Sequence, residues 1–155
     1  MKFTTQTVIQ APIDSVFEMM SDFDTIEQLA RRRGADVTRI NPGAYAGVGL
    51  EWDVHFVLRG KARDVQLRLS ELNAPNRLVA HATSPGVTGF FVAELVALSE
   101  DTTRLMAVLD TEPQTLSARL LMQSLRLAKS SLNKRFDTRV ADYGRAMEDR
   151  YQSQA

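Results

Sequence analysis

The sequence predicts an α+β fold: an antiparallel sheet of six to seven strands followed by one long C-terminal helix. Three observations carry this. Apolar residues alternate with a period of two across much of residues 35–112. Short turn signals such as Arg59-Gly60, Ala74-Pro75-Asn76 and Pro85-Gly86 break that stretch into successive strands. From residue 115 the period lengthens to three and four and stays there to Tyr151.

Residues 3–9, FTTQTVI, are rich in Thr, Val and Ile and form the first strand. Ala11-Pro12 ends it, and Pro12 suits a helix start, where its missing N–H costs nothing. Val16, Phe17, Met19 and Met20 give that short helix an apolar face. A second short helix is expected from Asp24, with Glu27 three residues on as a capping-box pair, through to Arg31-Arg32-Arg33-Gly34. The three arginines suit a helix C-terminus and read as solvated charges rather than an anion site.

ADVTRI is a short strand, and NPGAYAGVG is turn-rich. Further strands are expected near 48–59, 62–72, 77–84, 87–99 and 103–112. Sequential strands with short breaks make an antiparallel meander. Leu121, Leu125, Ala128, Leu132, Phe136, Val140, Tyr143, Met147 and Tyr151 then form one stripe, which predicts a single helix over 115–151. Gly144 weakens its later turns. One domain spans 1–151, and residues 152–155 are a loose tail.

Composition narrows the function. Of the 155 residues, 44% are hydrophobic and 25% charged, an ordinary globular balance. Nineteen basic residues match nineteen acidic ones, which argues against a dedicated nucleic-acid or anionic-membrane binder, though a local basic patch stays open. The chain has no cysteine, so disulfides, thiolate catalysis and cysteine-based zinc sites are excluded and a cytoplasmic setting fits. It has no signal-peptide-like start and no apolar run long enough to span a bilayer.

The stretch GLEWDVHFVLR, residues 49–59, poses the sharpest chemical question. Glu51, Asp53 and His55 share one strand face, but Glu51 and His55 lie about 13 Å apart, at about 3.3 Å per residue. They cannot share an ion that needs ligands about 2 Å away. No metal site is expected, and the row reads as the solvated side of a strand. An acid, Asp53 or Glu51 according to register, faces Arg68 on the next strand. The glycine-rich loop lacks the Lys-Ser/Thr ending and following helix of a phosphate cradle, so its glycines serve a turn.

The order of elements resembles the helix-grip fold of the START, birch-pollen-allergen and polyketide cyclase/dehydrase superfamily. The resemblance rests on QAPIDSVFEMMSDF after the first strand, PGAYAGVG before the third, and TTRLMAVLDTEP leading into the last helix. It covers Lys2 to about Tyr151. It implies a curved sheet wrapped around the C-terminal helix, enclosing a cavity for a lipid, quinone, sterol-like or polyketide molecule. No cofactor is implied, and no catalytic residue is shared across the superfamily.

Strand and helix parity nominate the lining: Trp52, Val54, Phe56, Val65, Leu67, Leu105, Ala107 and Leu109 from strands, and Leu121, Leu125, Leu132 and Phe136 from the helix. Tyr45, in the glycine-rich loop, is placed at the cavity mouth. The strand 87–99 is apolar on both faces, so alternation leaves its inward side open. An enzyme would need an acid or base in the pocket. The candidates are Glu94, His81, whose face is ambiguous, and Asp110, which ends the last strand. The leading expectation is a binder of a small apolar ligand. The alternatives are a cyclase/dehydratase-type enzyme and a protein-interaction module with a filled core.

Overall fold

The computed structural model describes residues 1–41 and 47–154. The expected strands and helices are present with boundaries shifted by a few residues. They are β1 (Lys2–Ile9), α1 (Ile13–Met20), α2 (Phe23–Arg32), β2 (Asp36–Arg39), β3 (Glu51–Leu58), β4 (Lys61–Asn73), β5 (Arg77–Ser84), β6 (Val87–Ser99), β7 (Thr102–Pro113), α3 (Leu116–Arg126) and α4 (Lys129–Ser153). All seven strands form one curved antiparallel sheet in the order β1-β7-β6-β5-β4-β3-β2. Strands β2 to β7 follow one another across the sheet, and β1 closes onto the far side of β7. Helix α4 lies against the inner face, packed on β1.

The β3–β4 hairpin settles its register as Glu51 opposite Arg68, with Trp52 opposite Leu67 and Val54 opposite Val65. Leu58 and Lys61 close it around Arg59 and Gly60, whose φ angles are 53° and 79°. Two positive φ values in a two-residue loop match the right-handed twist of the flanking strands. Register shifts at Leu69/Glu71 in β4 and at Ala97/Ser99 in β6 mark irregularities that bend these long strands.

Three expectations need correcting. Helix α2 is capped by Asp22, whose carboxylate accepts from the Thr25 N–H at 3.4 Å and from the Thr25 hydroxyl at 2.8 Å. Glu27 is released from capping and binds Arg39 and the Trp52 indole instead. The C-terminal helix is two helices, because the chain turns at Leu127 and Ala128. The apolar stripe runs through that turn without a Gly or Pro, so periodicity alone does not reveal it. Finally, α4 continues to Ser153, and its Gly144 is buried in mid-helix against Thr7 and Ile9 of β1 rather than loosening the end. A side chain there would meet Thr7 Cγ2 at 3.1 Å, so the glycine lets helix and strand approach closely.

Packing divides the inner face into two levels. At one, α1, α2 and the later turns of α4 fill the space with Ile9, Val16, Phe17, Met20, Trp52, Leu69, Leu95, Leu105, Val140 and Met147. Ile9, Val16 and Leu50 are fully buried there. At the other level the sheet faces α3 and the first turns of α4, and the space between them is not filled.

Candidate functional site

The unfilled level is a cavity of about 700 Å³. Its walls come from Phe3, from Val54, Phe56 and Leu58 of β3, and from Arg63, Val65 and Leu67 of β4. Ala82, Ser84, Val87, Gly89, Leu109 and Thr111 continue the wall across β5, β6 and β7. Leu121, Met122 and Leu125 of α3 and Leu132 and Phe136 of α4 cover it. The volume lies within the range of pockets that hold small organic molecules.

Small residues help keep it open. Ala82 and Gly89 are cross-strand partners on the inner face. A Cβ added at Gly89 would lie 2.5 Å from the Asp110 carbonyl oxygen, so that position accepts no side chain. Strand β6 resolves the ambiguity of its two apolar faces. Gly89, Ala93 and Leu95 are buried on the inner side, while Phe90 and Val96 project outward and are more than two-fifths exposed. The larger apolar residues of its middle are thus split between sheet faces, and the inward ones beside the cavity are small.

Most of the parity-derived lining stands on this wall: Val54, Phe56, Val65, Leu67, Leu109, Leu121, Leu125, Leu132 and Phe136. Trp52, Leu105 and Ala107 do not. They face inward as parity requires but sit at the filled level, where all three are buried. Trp52 packs on Phe23 with ring centroids 5.4 Å apart and donates its indole N–H to Glu27 at 2.9 Å. Parity fixes the face of a strand residue but not its level along the strand. Tyr45 lies outside the described residues.

The three acid–base candidates fall on the outer face. Glu94 forms an ion pair with Arg77 across the β5–β6 ladder. His81 is exposed and meets the edge of Phe90, centroids 5.2 Å apart. Asp110 alternates with the wall residues Leu109 and Thr111 and stands opposite Lys2 and Phe90. None of the three lines the cavity. The Glu51-Asp53-His55 row is likewise outside. His55 Nδ1 lies 2.5 Å from Asp64, the residue opposite it on β4. That hydrogen bond, with the nearby Asp64, Asp36 and Asp53 charges, raises the His55 pKa above 6.5. Among the described residues no cluster of three His, Asp or Glu could hold a metal ion. Among them, too, no carboxylate or imidazole side chain lines the cavity; its ionisable side chains are Lys61 and Arg63.

Sequence reasoning misses Arg63 because it draws the lining from apolar residues alone. The signal is nonetheless present: Arg63 has the parity of Val65 and Leu67.

A curved seven-stranded antiparallel sheet gripping a C-terminal helix over an inner cavity is the helix-grip fold. Solved structures share it. The protein TTHA0849 from Thermus thermophilus superposes with a TM-score of 0.71 at 14% identity, covering 100% of this chain and 99% of that one. The Zhui aromatase/cyclase from Streptomyces sp. R1128 gives 0.64 at 14% identity, covering 86% and 88%. Norcoclaurine synthase from Thalictrum flavum, in complex with dopamine and hydroxybenzaldehyde, gives 0.63 at 12% identity, covering 86% and 83%. No family model and no curated protein matches the sequence.

Proposed function

We propose that this protein binds a small, largely apolar molecule in the cavity between sheet and helices, as a carrier, store or sensor. The observation that carries this reading is the cavity itself: about 700 Å³, walled mainly by Val, Leu, Phe and Met side chains. A ligand burying about 300 Å² of apolar surface there would gain roughly 7 kcal/mol before the entropic costs of association. Fold neighbours that include a synthase in complex with dopamine and hydroxybenzaldehyde support a ligand-holding use of this architecture. A cytoplasmic setting is supported by the cysteine-free sequence.

The test is native mass spectrometry of freshly purified protein, followed by organic extraction. The expected result is a retained apolar mass in the wild type, absent from Phe56→Arg, with both proteins native by circular dichroism. A retained mass that survives Phe56→Arg would put the ligand elsewhere. A wild-type protein that neither retains a mass nor takes up any neutral apolar probe would overturn the reading.

A further inference from the structure

Arg63 is out of keeping with its surroundings. It belongs to the inner face of β4, and its cross-strand partner on β3 is Phe56. The Nε atom is buried and has no hydrogen-bond partner. Among the described residues the guanidinium forms no ion pair either, whereas Arg39, Arg77, Arg145 and Arg150 all pair with carboxylates. Two rungs on each face of the same hairpin show the contrast. On the outer face His55 opposes Asp64 and Glu51 opposes Arg68, so base meets acid. On the inner face Arg63 opposes Phe56 and Lys61 opposes Leu58, so base meets hydrocarbon. Arg104 also has a buried, unpartnered Nε, but it stands among Val8 and Val96 on the outer face and does not line this cavity.

A guanidinium stays charged at any pH the fold survives, so it cannot relieve its position by losing a proton. A fixed cation beside an apolar hollow, with no carboxylate on the wall, is complementary to an anion with a hydrocarbon body. Such an anion would accept hydrogen bonds in the planar fork geometry that carboxylates match. From this arrangement we propose that the cavity's ligand is an amphipathic carboxylate, its head group held by Arg63 and its apolar body lying toward Phe136 and Leu132. This rests on the reading of the cavity as a ligand site and names its ligand class.

The experiment separates the two ideas. Binding of the neutral fluorophore N-phenyl-1-naphthylamine first establishes an accessible cavity. Decanoate and decan-1-ol then compete for it at about pH 8, where the carboxylate is ionised. Wild-type protein should prefer decanoate by about tenfold or more, the worth of one charge-assisted contact. Arg63→Met should erase that preference while leaving fluorophore binding intact, which also reports that the variant is folded. Arg63→Lys should keep part of it. Arg68→Met, changing an exposed side chain on the outer face of the same strand, should shift it by no more than about threefold.

Equal affinity for the acid and the alcohol in wild type would overturn the proposal while leaving the cavity reading standing. So would a decanoate preference unchanged in Arg63→Met, or displacement by neither competitor. Failure of the fluorophore to bind would overturn both.

Discussion

Tyr143 shows how one buried polar atom makes stability depend on pH. It sits on α4 beside the filled level, and its hydroxyl is buried with no hydrogen-bond partner. Burial is the main reason its pKa is pushed up to about 12, with the Asp22 charge adding to the rise and Arg150 opposing it. The fold therefore favours the neutral phenol. The associated stability is fully present below pH 10, the unfolded value, and is lost as pH climbs toward about 12. Tyr143→Phe removes the orphaned hydroxyl and keeps the ring, so it should be neutral or stabilising by up to about 1 kcal/mol at pH 7. The variant's urea midpoint should also fall less steeply than wild type's between pH 10 and about 12. A loss of more than about 1 kcal/mol at neutral pH would show that the hydroxyl has a partner.

At the scale of elements, the start of α3 is the joint that closes the cavity. Thr115 caps the helix by accepting from the Ala118 N–H at 3.1 Å. The turn between β5 and β6 docks on this joint, with Gln114 N–H donating to the Gly86 carbonyl at 2.7 Å. Gly86 has φ of 78°, and a Cβ there would lie 2.7 Å from the Thr115 hydroxyl oxygen. Thr115→Ala should cost about 1 kcal/mol through the cap alone. Gly86→Ala should cost roughly 2 kcal/mol, since it adds backbone strain to a displaced cap. Combining the two should give less than the sum, because both damage the same contact. Denaturant melts of the two single variants and the double variant test this; strict additivity would mean turn and cap are independent.

For the molecule as a whole, the decisive feature is the split between a filled and a hollow level on one sheet face. Ala82→Phe should place a ring in the hollow, leaving the melting temperature unchanged or raised while abolishing uptake of N-phenyl-1-naphthylamine. Retained uptake in a folded Ala82→Phe variant would mean the probe does not enter this cavity. The same split explains what is legible in advance. The meander from β2 to β7 follows from the short breaks between successive strands, and the inner faces of β3 and β4 follow from period-two alternation, because alternation is a direct image of the pleat. The level of a residue along its strand depends on which helix lies over it. That is a tertiary matter, which is why parity nominates Trp52 and Leu105 for the cavity although they are core. The outward direction of Glu94 and His81 hides behind strands apolar or small on both sides, and the turn at Leu127 hides behind an unbroken stripe. Arg63 is legible by parity and escapes notice only when charge is equated with solvent.

The pairing of β1 with β7 sets a schedule as well as an edge. Thr4 lies opposite Val108 and Ile9 opposite Thr103, contacts that span about a hundred residues of chain. During synthesis the meander β3 to β6 can assemble from local hairpins as it emerges, but β1 has no lasting neighbour until β7 is made. Helix α4 follows later still, and Gly144 must then nest against Thr7 and Ile9. Long loops of this kind close slowly, because their entropy is lost before their contacts repay it. Strand β1, rich in Thr, is thus an unpaired edge until β7 is made, and the cavity closes only once the helices after β7 have docked.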